Sequence, residues 1–434
     1  LALDPRTPVV VGAGQVVRRE PLLDETCEPA AMIAEALRAA AHDTGAGDAL
    51  LRRADSVRCV PVIGWHYGDG AAFVAAKLGL QPRETVRTAT LGGEGPLLLL
   101  NETAADIAAG RVEIALLGGG ESGASLRAAQ LTASEPSWGR QEDSARPTRT
   151  LGSERPPLNE VELAATLGPP LHAYALLETA IRASAGSTPQ AHIECVAQLW
   201  SRFASVCSEN PNAWSTRPFD AREIATPSAE NRLVCAPYTK LLTANIQVNL
   251  ASGLVLASVA AAEAAGVPRE RWVFIHAGSY AQEEWHVSER ERLDASPAIA
   301  AAGRAVLEHA RVAIDEIAEV DLYSCFPSAV QIAARELGLA LDDARPLTVT
   351  GGLTFAGGPG NNYAAHAVAT LVARLRADPR AYGLTTAVGW YLTKHAVSLL
   401  SAQPPAQTFA SLAPPPPPSR ARVARRARGE YSGD

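Results

Sequence analysis

The sequence predicts an α/β protein in which one strand–helix unit is written twice, about 265 residues apart. Three observations predict it. Landmarks recur in the same order: Val9-Val10-Val11-Gly12 matches Val273-Phe274-Ile275-His276, and a helical run led by Pro29 matches one led by Pro297. Cys59 and Cys325 close two further matching strands, and the glycine turn Gly92-Gly93 matches Gly357-Gly358. Within each copy, apolar strands alternate with amphipathic helices, the pattern of a parallel or mixed sheet covered on its faces. Finally, the 434 residues are 47% hydrophobic but only 5% aromatic, so the core is built of Ala, Val and Leu in packed layers.

In chain order, the first half spans residues 1–121 and 236–268, the second 269–401. Each opens on a strand, passes through a Pro-led helix and a second strand, and reaches a glycine turn that starts another helix. Each then returns to an apolar strand, Ile114 to Leu117 in one copy and Thr385 to Val388 in the other. Residues 122–235 are rich in Pro, Ser, Arg and Trp and read as one inserted loop domain. Two helices are predicted inside it, roughly His172 to Ala185 and Ala191 to Glu209. An excursion of that length from a compact scaffold tends to carry substrate contacts. Pro237 to Ala265 returns to strand and helix and completes the first sheet. From 402 to 434 the chain is a Pro/Arg-rich tail or linker, with Pro414 to Pro418 in a row, a stiff spacer. Its arginines, 420 to 428, could attract phosphates but read as a solvated tail.

Net charge is −7, which argues against a general nucleic-acid binder. Six scattered cysteines, without a CxxC pair or a His cluster at ligand spacing, read as a reduced, cytoplasmic protein with no structural metal. No apolar stretch is long enough to span a membrane; Leu97 to Leu100 is a buried helix turn. Gly12-Ala13-Gly14-Gln15 lacks the third glycine of a dinucleotide turn and is a strand end.

The duplicated unit, the inserted domain and the phrases DLYSCFPSAVQIAARELGL, GGLTFAGGPGNNYAAHA and LLGGGES resemble the thiolase superfamily, especially its sterol-carrier-protein-type and actinobacterial thiolase-like members, often labelled acetyl-CoA acetyltransferases. The likeness covers about Asp4 to Leu400. It implies a five-layered αβαβα thiolase fold, a homodimer, a CoA thioester as substrate and no tightly bound cofactor. Relatives of this kind commonly carry a further small β domain, so a small β-domain partner protein is also implied.

A thiolase needs a low-pKa cysteine at a helix N-terminus, a second cysteine as acid/base and an oxyanion hole. By the resemblance, the nucleophile's place falls on Gly92 and the GHP histidine's on Gly358. The second cysteine's place falls near Val388 or Gly389, and that of the catalytic Asn or His on Tyr323. With all four positions changed, Cys-based thiolase chemistry is not expected.

The candidate catalytic residues are Tyr323, Tyr363, Cys325 and His366. Tyr323 could polarise a thioester oxygen, or serve as acid/base if its pKa were lowered. Tyr363 and His366 share a helix face one turn apart. Cys325 is a structural thiol or, in an acyltransferase, the nucleophile. Gly357, Gly358, Asn361, Asn362 and Lys240 are the candidate thioester-binding residues: a glycine turn and helix start suited to an oxyanion, and an amine for a CoA phosphate. His276 and His286, with Glu283 and Glu284 between them, form a weaker acid/base candidate. Three functions are compatible with these residues. One is retro-aldol or Claisen-type cleavage of an acyl-CoA without a covalent acyl-enzyme. The others are acyl transfer as the family label implies, and a catalytically inactive binding or scaffold subunit.

Overall fold

The computed structural model describes residues 3–142 and 144–414. The first half runs β1 (Pro8–Val17), α1 (Pro29–Asp43), α2 (Ala49–Arg52), β2 (Ser56–Cys59), α3 (Gly70–Lys77), β3 (Glu84–Thr88), α4 (Gly95–Ala108) and β4 (Ile114–Ser122). An insertion follows, with α5 (Gly123–Thr132), β5 (Arg149–Leu151), α6 (Glu160–Ala164), α7 (Pro170–Ser184), α8 (Pro189–Glu209), α9 (Ala221–Ala225) and the hairpin β6 (Leu233–Cys235) and β7 (Tyr238–Thr239). β8 (Asn249–Ser258) and α10 (Val259–Ala264) close the first half.

The second half runs β9 (Val273–Gln282), α11 (Pro297–Ala310), β10 (Ile317–Asp321), α12 (Pro327–Leu337), α13 (Gly352–Phe355), α14 (Tyr363–Ala377), β11 (Tyr382–Gly389) and β12 (Lys394–Ser401). A short β13 (Ser411–Leu412) then pairs parallel with β9.

The strand order is β10-β11-β12-β9-β1-β8-β4-β2-β3-β5, mirrored about the β9/β1 junction. Only two residue pairs, Val9 with Phe274 and Val10 with Val273, join the halves there. Helices α4 and α14 touch each other and strands of both halves, so they form a central layer. α1 and α3 cover the outside of one half, α11 and α12 the outside of the other, giving five layers, αβαβα. A central helix must be apolar all round. α4 obeys: Leu97, Leu98, Leu99 and Leu100 are all buried. On the outer side, the alanine face of α1 lies so close to β1 that a side chain at Gly12 or Gly14 would strike the Ala40 or Ala36 carbonyl.

The structure corrects the register of the repeat at the glycine turns. β1 and β9 start 265 residues apart, but α4 and α14 start at Gly95 and Tyr363, 268 apart. The counterpart of Gly92–Glu94 is therefore Gly360–Asn362, not the segment beginning at Gly357. Likewise Ile114 corresponds to Tyr382 rather than Thr385. Pro96 fixes one helix start at its first turn. In the other copy the extra turn α13 precedes the glycines and moves the start on.

The insertion is not wholly separate from the first sheet. β5 pairs parallel with β3 and covers its outer edge. Arg149 holds it there through Asp106 of α4, which also pairs with the buried Arg58. The start of the tail is also ordered, contrary to a free spacer. Ala410 accepts the Gly278 N–H and Phe409 is buried. The polyproline run beyond Pro414 and its arginines lie outside the described residues. Among the described residues, no helix is long and apolar enough to cross a membrane.

Candidate active site

Four loops converge between the halves: the turns before α4 and α14, the segment after β10, and the β11–β12 connection. Glu94 occupies their meeting point. Its Oε1 is 2.6 Å from the Lys394 Nζ, which also donates to the Leu91 carbonyl at 3.1 Å. Both side chains are buried, with 3% and 0% of their surface exposed. Among the described residues Glu94 Oε2 has no hydrogen-bond partner. Burial raises the Glu94 carboxyl above the ordinary carboxylate range, and the Lys394 charge opposes that rise.

Glycines make the room for this pair. A Cβ at Gly92 or Gly389 would collide with Glu94 Oε2, and one at Gly93 with the Tyr323 hydroxyl. Gly92 also has φ +154°, a conformation other residues rarely adopt. The side-chain positions that the resemblance assigns to a nucleophile and a second cysteine are thus taken up by a carboxylate reaching in from position 94 and an ammonium from position 394. Neither residue was singled out from the sequence. The available signals were an acid inside a glycine turn that opens an apolar helix, and a lysine leading a wholly buried strand pattern, Lys394–Ser401.

Tyr323 is the one predicted catalytic side chain that reaches this point. Its ring stands edge-on to Tyr363 with centroids 5.5 Å apart. Burial lifts its phenol well above 10, the reverse of the lowering an acid/base role requires. It is a neutral hydrogen-bond donor. Tyr363 points its hydroxyl elsewhere, to Thr350 Oγ1 at 2.7 Å and Asp321 Oδ1 at 3.1 Å. The Asp321 carboxyl is pushed up to about 6 by burial.

The Cys325 thiol is pushed up to about 12 by burial, which leaves essentially no thiolate near neutrality. His366 donates through Nδ1 to Gln15 Oε1 at 2.8 Å, and burial holds it down to about 3. With Asn212 and Thr350 it lines a small cavity that contains none of Glu94, Lys394 and Tyr323.

The two asparagines brace rather than cap. Asn361 accepts the Gly92 N–H at 2.8 Å and donates to the Pro61 and Thr90 carbonyls, each at 2.9 Å. Asn362 donates to the Gly119 carbonyl and Ser252. Neither side chain caps α14. Gly357 has φ +108°, and the Gly358 N–H is taken by the Asn245 carbonyl at 2.8 Å. A Cβ at Gly358 would meet nothing closer than 3.4 Å, so a side chain fits there. Lys240 is exposed on the surface, without the desolvation a Schiff-base lysine needs. The His276–His286 candidate does not assemble. His276 bonds the Gln403 carbonyl, His286 bonds Glu289, and Glu283 accepts from Ser296.

A monomeric SCP2-thiolase-like protein type 1 from Mycobacterium smegmatis is 31% identical, with a TM-score of 0.79 over 94% of this chain and 80% of that one. The chain belongs to the thiolase superfamily. Two more distant structures share its fold. The Ltp2-ChsH2(DUF35) aldolase has a TM-score of 0.67 at 15% identity, over 92% of this chain and 99% of that one. The dimeric peroxisomal thiolase of Saccharomyces cerevisiae has 0.62 at 16%, over 93% and 99%. No family model and no curated protein matches the sequence.

In this thiolase-like chain the LLGGGES segment ends in a buried carboxylate. Glu121 accepts the N–H groups of Ile63 and Gly64 and abuts Gly360, and burial raises it to about 7. A carboxyl raised in the folded state stabilises the fold below its unfolded pKa and loses that stabilisation as pH rises through its folded one. Glu121→Gln is therefore expected to gain on the parent chain between pH 5 and pH 8, by on the order of 3 kcal/mol. Urea midpoints at the two pH values check this; an equal difference at both refutes it.

Proposed function

We propose that this chain binds a CoA thioester and cleaves a carbon–carbon bond of its acyl group by acid–base chemistry, with no acyl-enzyme. The observation that carries this reading is Glu94, a buried carboxylate with one unpartnered oxygen, beside Lys394 and the neutral phenol of Tyr323. A carboxylate whose pKa is raised by burial is a better general base. On a β-hydroxyacyl thioester, Glu94 Oε2 takes the hydroxyl proton and the Cα–Cβ bond breaks. The β-oxygen becomes the carbonyl of an aldehyde or ketone, and the electron pair passes to the thioester as an enolate. Tyr323 donates a hydrogen bond to the enolate oxygen. The Glu94 carboxyl then returns its proton to Cα, which leaves a shortened acyl-CoA.

The aldolase among the structures sharing this fold supports the reading at the level of the scaffold. Its second component also supports a small partner protein for this chain. The coverage of the β3 edge by β5, and the monomeric relative, favour a monomer over the homodimer expected from the sequence. Acyl transfer would need a thiolate, and Cys325 does not offer one. One observation favours the inactive binding subunit: Glu94 and Lys394 are almost wholly enclosed.

The test is incubation with a branched β-hydroxyacyl-CoA, followed by native mass spectrometry and quantitation of the carbonyl product. Shortened acyl-CoA is expected, with Glu94→Gln slowing its formation by about 10³ and Tyr323→Phe by about tenfold or more. An acyl mass that survives denaturation would overturn the reading. Bound CoA without product would transfer the chain to the binding class.

A further inference from the structure

The Glu94–Lys394 pair is enclosed, so a molecule that reacts there must first be let in. The chain leading into Glu94 nevertheless lies at the surface: Thr90 is exposed, and Leu91, Gly92 and Gly93 are half-buried. One stretch of the insertion, residues 152–159, bridges the two segments that hold the pair.

On the first half, Glu154 accepts the Thr90 N–H and hydroxyl, each at 3.0 Å. The next residue, Leu91, supplies the carbonyl that Lys394 grips. On the second half, Trp285 Nε1 donates to the Pro156 carbonyl at 2.7 Å, and the Arg155 guanidinium lies over the Trp285 ring at 4.9 Å. Asn159 donates to Ser288 Oγ at 3.1 Å. The Trp285 carbonyl in turn accepts the hydroxyl of Thr393, the neighbour of Lys394. The stretch is thus tied beside both groups that fix the ammonium end of the pair.

Its build is that of a lid. From Ser153 to Leu158 no backbone-to-backbone hydrogen bond forms among the described residues. Gly152, at φ +84°, provides a hinge at one end, and Pro156-Pro157 stiffen the middle. The other end is Asn159, the N-cap of α6, a helix held to the second half by the buried Glu162 through the Ser288 N–H. Glu154, Arg155 and Pro156 are exposed. A few side-chain ties at exposed residues open locally while the core stays folded.

We infer that residues 152–159 are a gate over the Glu94–Lys394 pair, swinging between Gly152 and the start of α6 to admit a ligand and then close. The gate rests on the proposed function only in taking that pair as the point a ligand must reach.

The test reads access rather than turnover. The chain has three lysines, Lys77, Lys240 and Lys394, so reductive methylation with formaldehyde and cyanoborohydride can be followed at each by peptide mass spectrometry. In the unaltered chain Lys394 should react slowly, at a rate that barely changes with low urea, because local opening exposes little surface. Glu154→Ala and Trp285→Phe, which each cut one set of ties, should speed Lys394 about tenfold and leave Lys77 and Lys240 unchanged. A Lys394 rate indifferent to both substitutions, equal acceleration of all three lysines, or a urea slope equal to that of global unfolding would overturn the gate. The urea slope is read on the unaltered chain and so holds even if a variant fails to fold. Faster Lys394 labelling in a chain that cleaves no acyl-CoA would keep the gate and reject the carbon–carbon reading.

Discussion

Lys394→Met is expected to destabilise the chain by about 3–5 kcal/mol, the largest effect of any single substitution considered for the site. The ammonium is fully buried and faces one carboxylate oxygen, one carbonyl and, at 5.9 Å, the ring of Trp390. Its removal strands Glu94 in a space the three glycines have shaped around it. The remaining carboxylate must then either stay charged without a partner or take up a proton. The double variant Glu94→Gln/Lys394→Met removes both charges and should recover most of the loss, since a buried pair costs most when only one member goes. Urea unfolding of the two single variants and the double variant checks both statements. A Lys394→Met loss below about 1 kcal/mol, the range of exposed pairs, would show that water reaches the pair.

A second large effect is expected at Glu178, outside the site. This fully buried carboxylate on α7 accepts from three elements. His192 of α8 is at 2.6 Å, Gln331 of α12 at 2.6 Å and the Tyr238 hydroxyl of β7 at 2.8 Å. It joins the insertion to the second half by hydrogen bonds, beside the packing of Tyr174 on Phe326. Glu178→Ala would leave those donors buried and short of partners, and each such orphan costs about 1–3 kcal/mol. A total of about 3–5 kcal/mol is expected, with proteolysis of the insertion accelerated before global unfolding. Glu178→Gln, which keeps one acceptor, should cost about half as much. Equal melting of the alanine variant and the parent would refute the proposed anchoring.

The repeat was legible because its landmarks are dictated locally. Proline-led helices and glycine turns leave the same trace wherever they occur, and the first strand of each half lies where the pattern placed it. The three-residue drift before α14 was hidden because the runs of glycine and alanine on either side align equally well in two registers. The site was legible as a location. Tyr323, Gly92, Gly93 and Gly389 do meet there, but the occupant was not read. Glu94 and Lys394 are 300 positions apart and form their pair only when the halves close. No spacing rule connects them. The asparagines were misread for a related reason: their partners Gly92, Pro61, Gly119 and Ser252 belong to the other half, and a cap is the nearer explanation for an asparagine at a helix start.

The docking of β5 against β3 has a consequence for how the molecule responds to dilution. A sheet edge completed by a neighbouring molecule is occupied according to protein concentration, and empties as that concentration falls below the dissociation constant. Here Arg149–Leu151 is delivered by the same chain, so its local concentration is set by the length of the intervening segment, in the millimolar range for tethered elements. The outermost ladder, and the Asp106–Arg149 contact behind it, should therefore form to the same extent in a nanomolar sample as in a concentrated one.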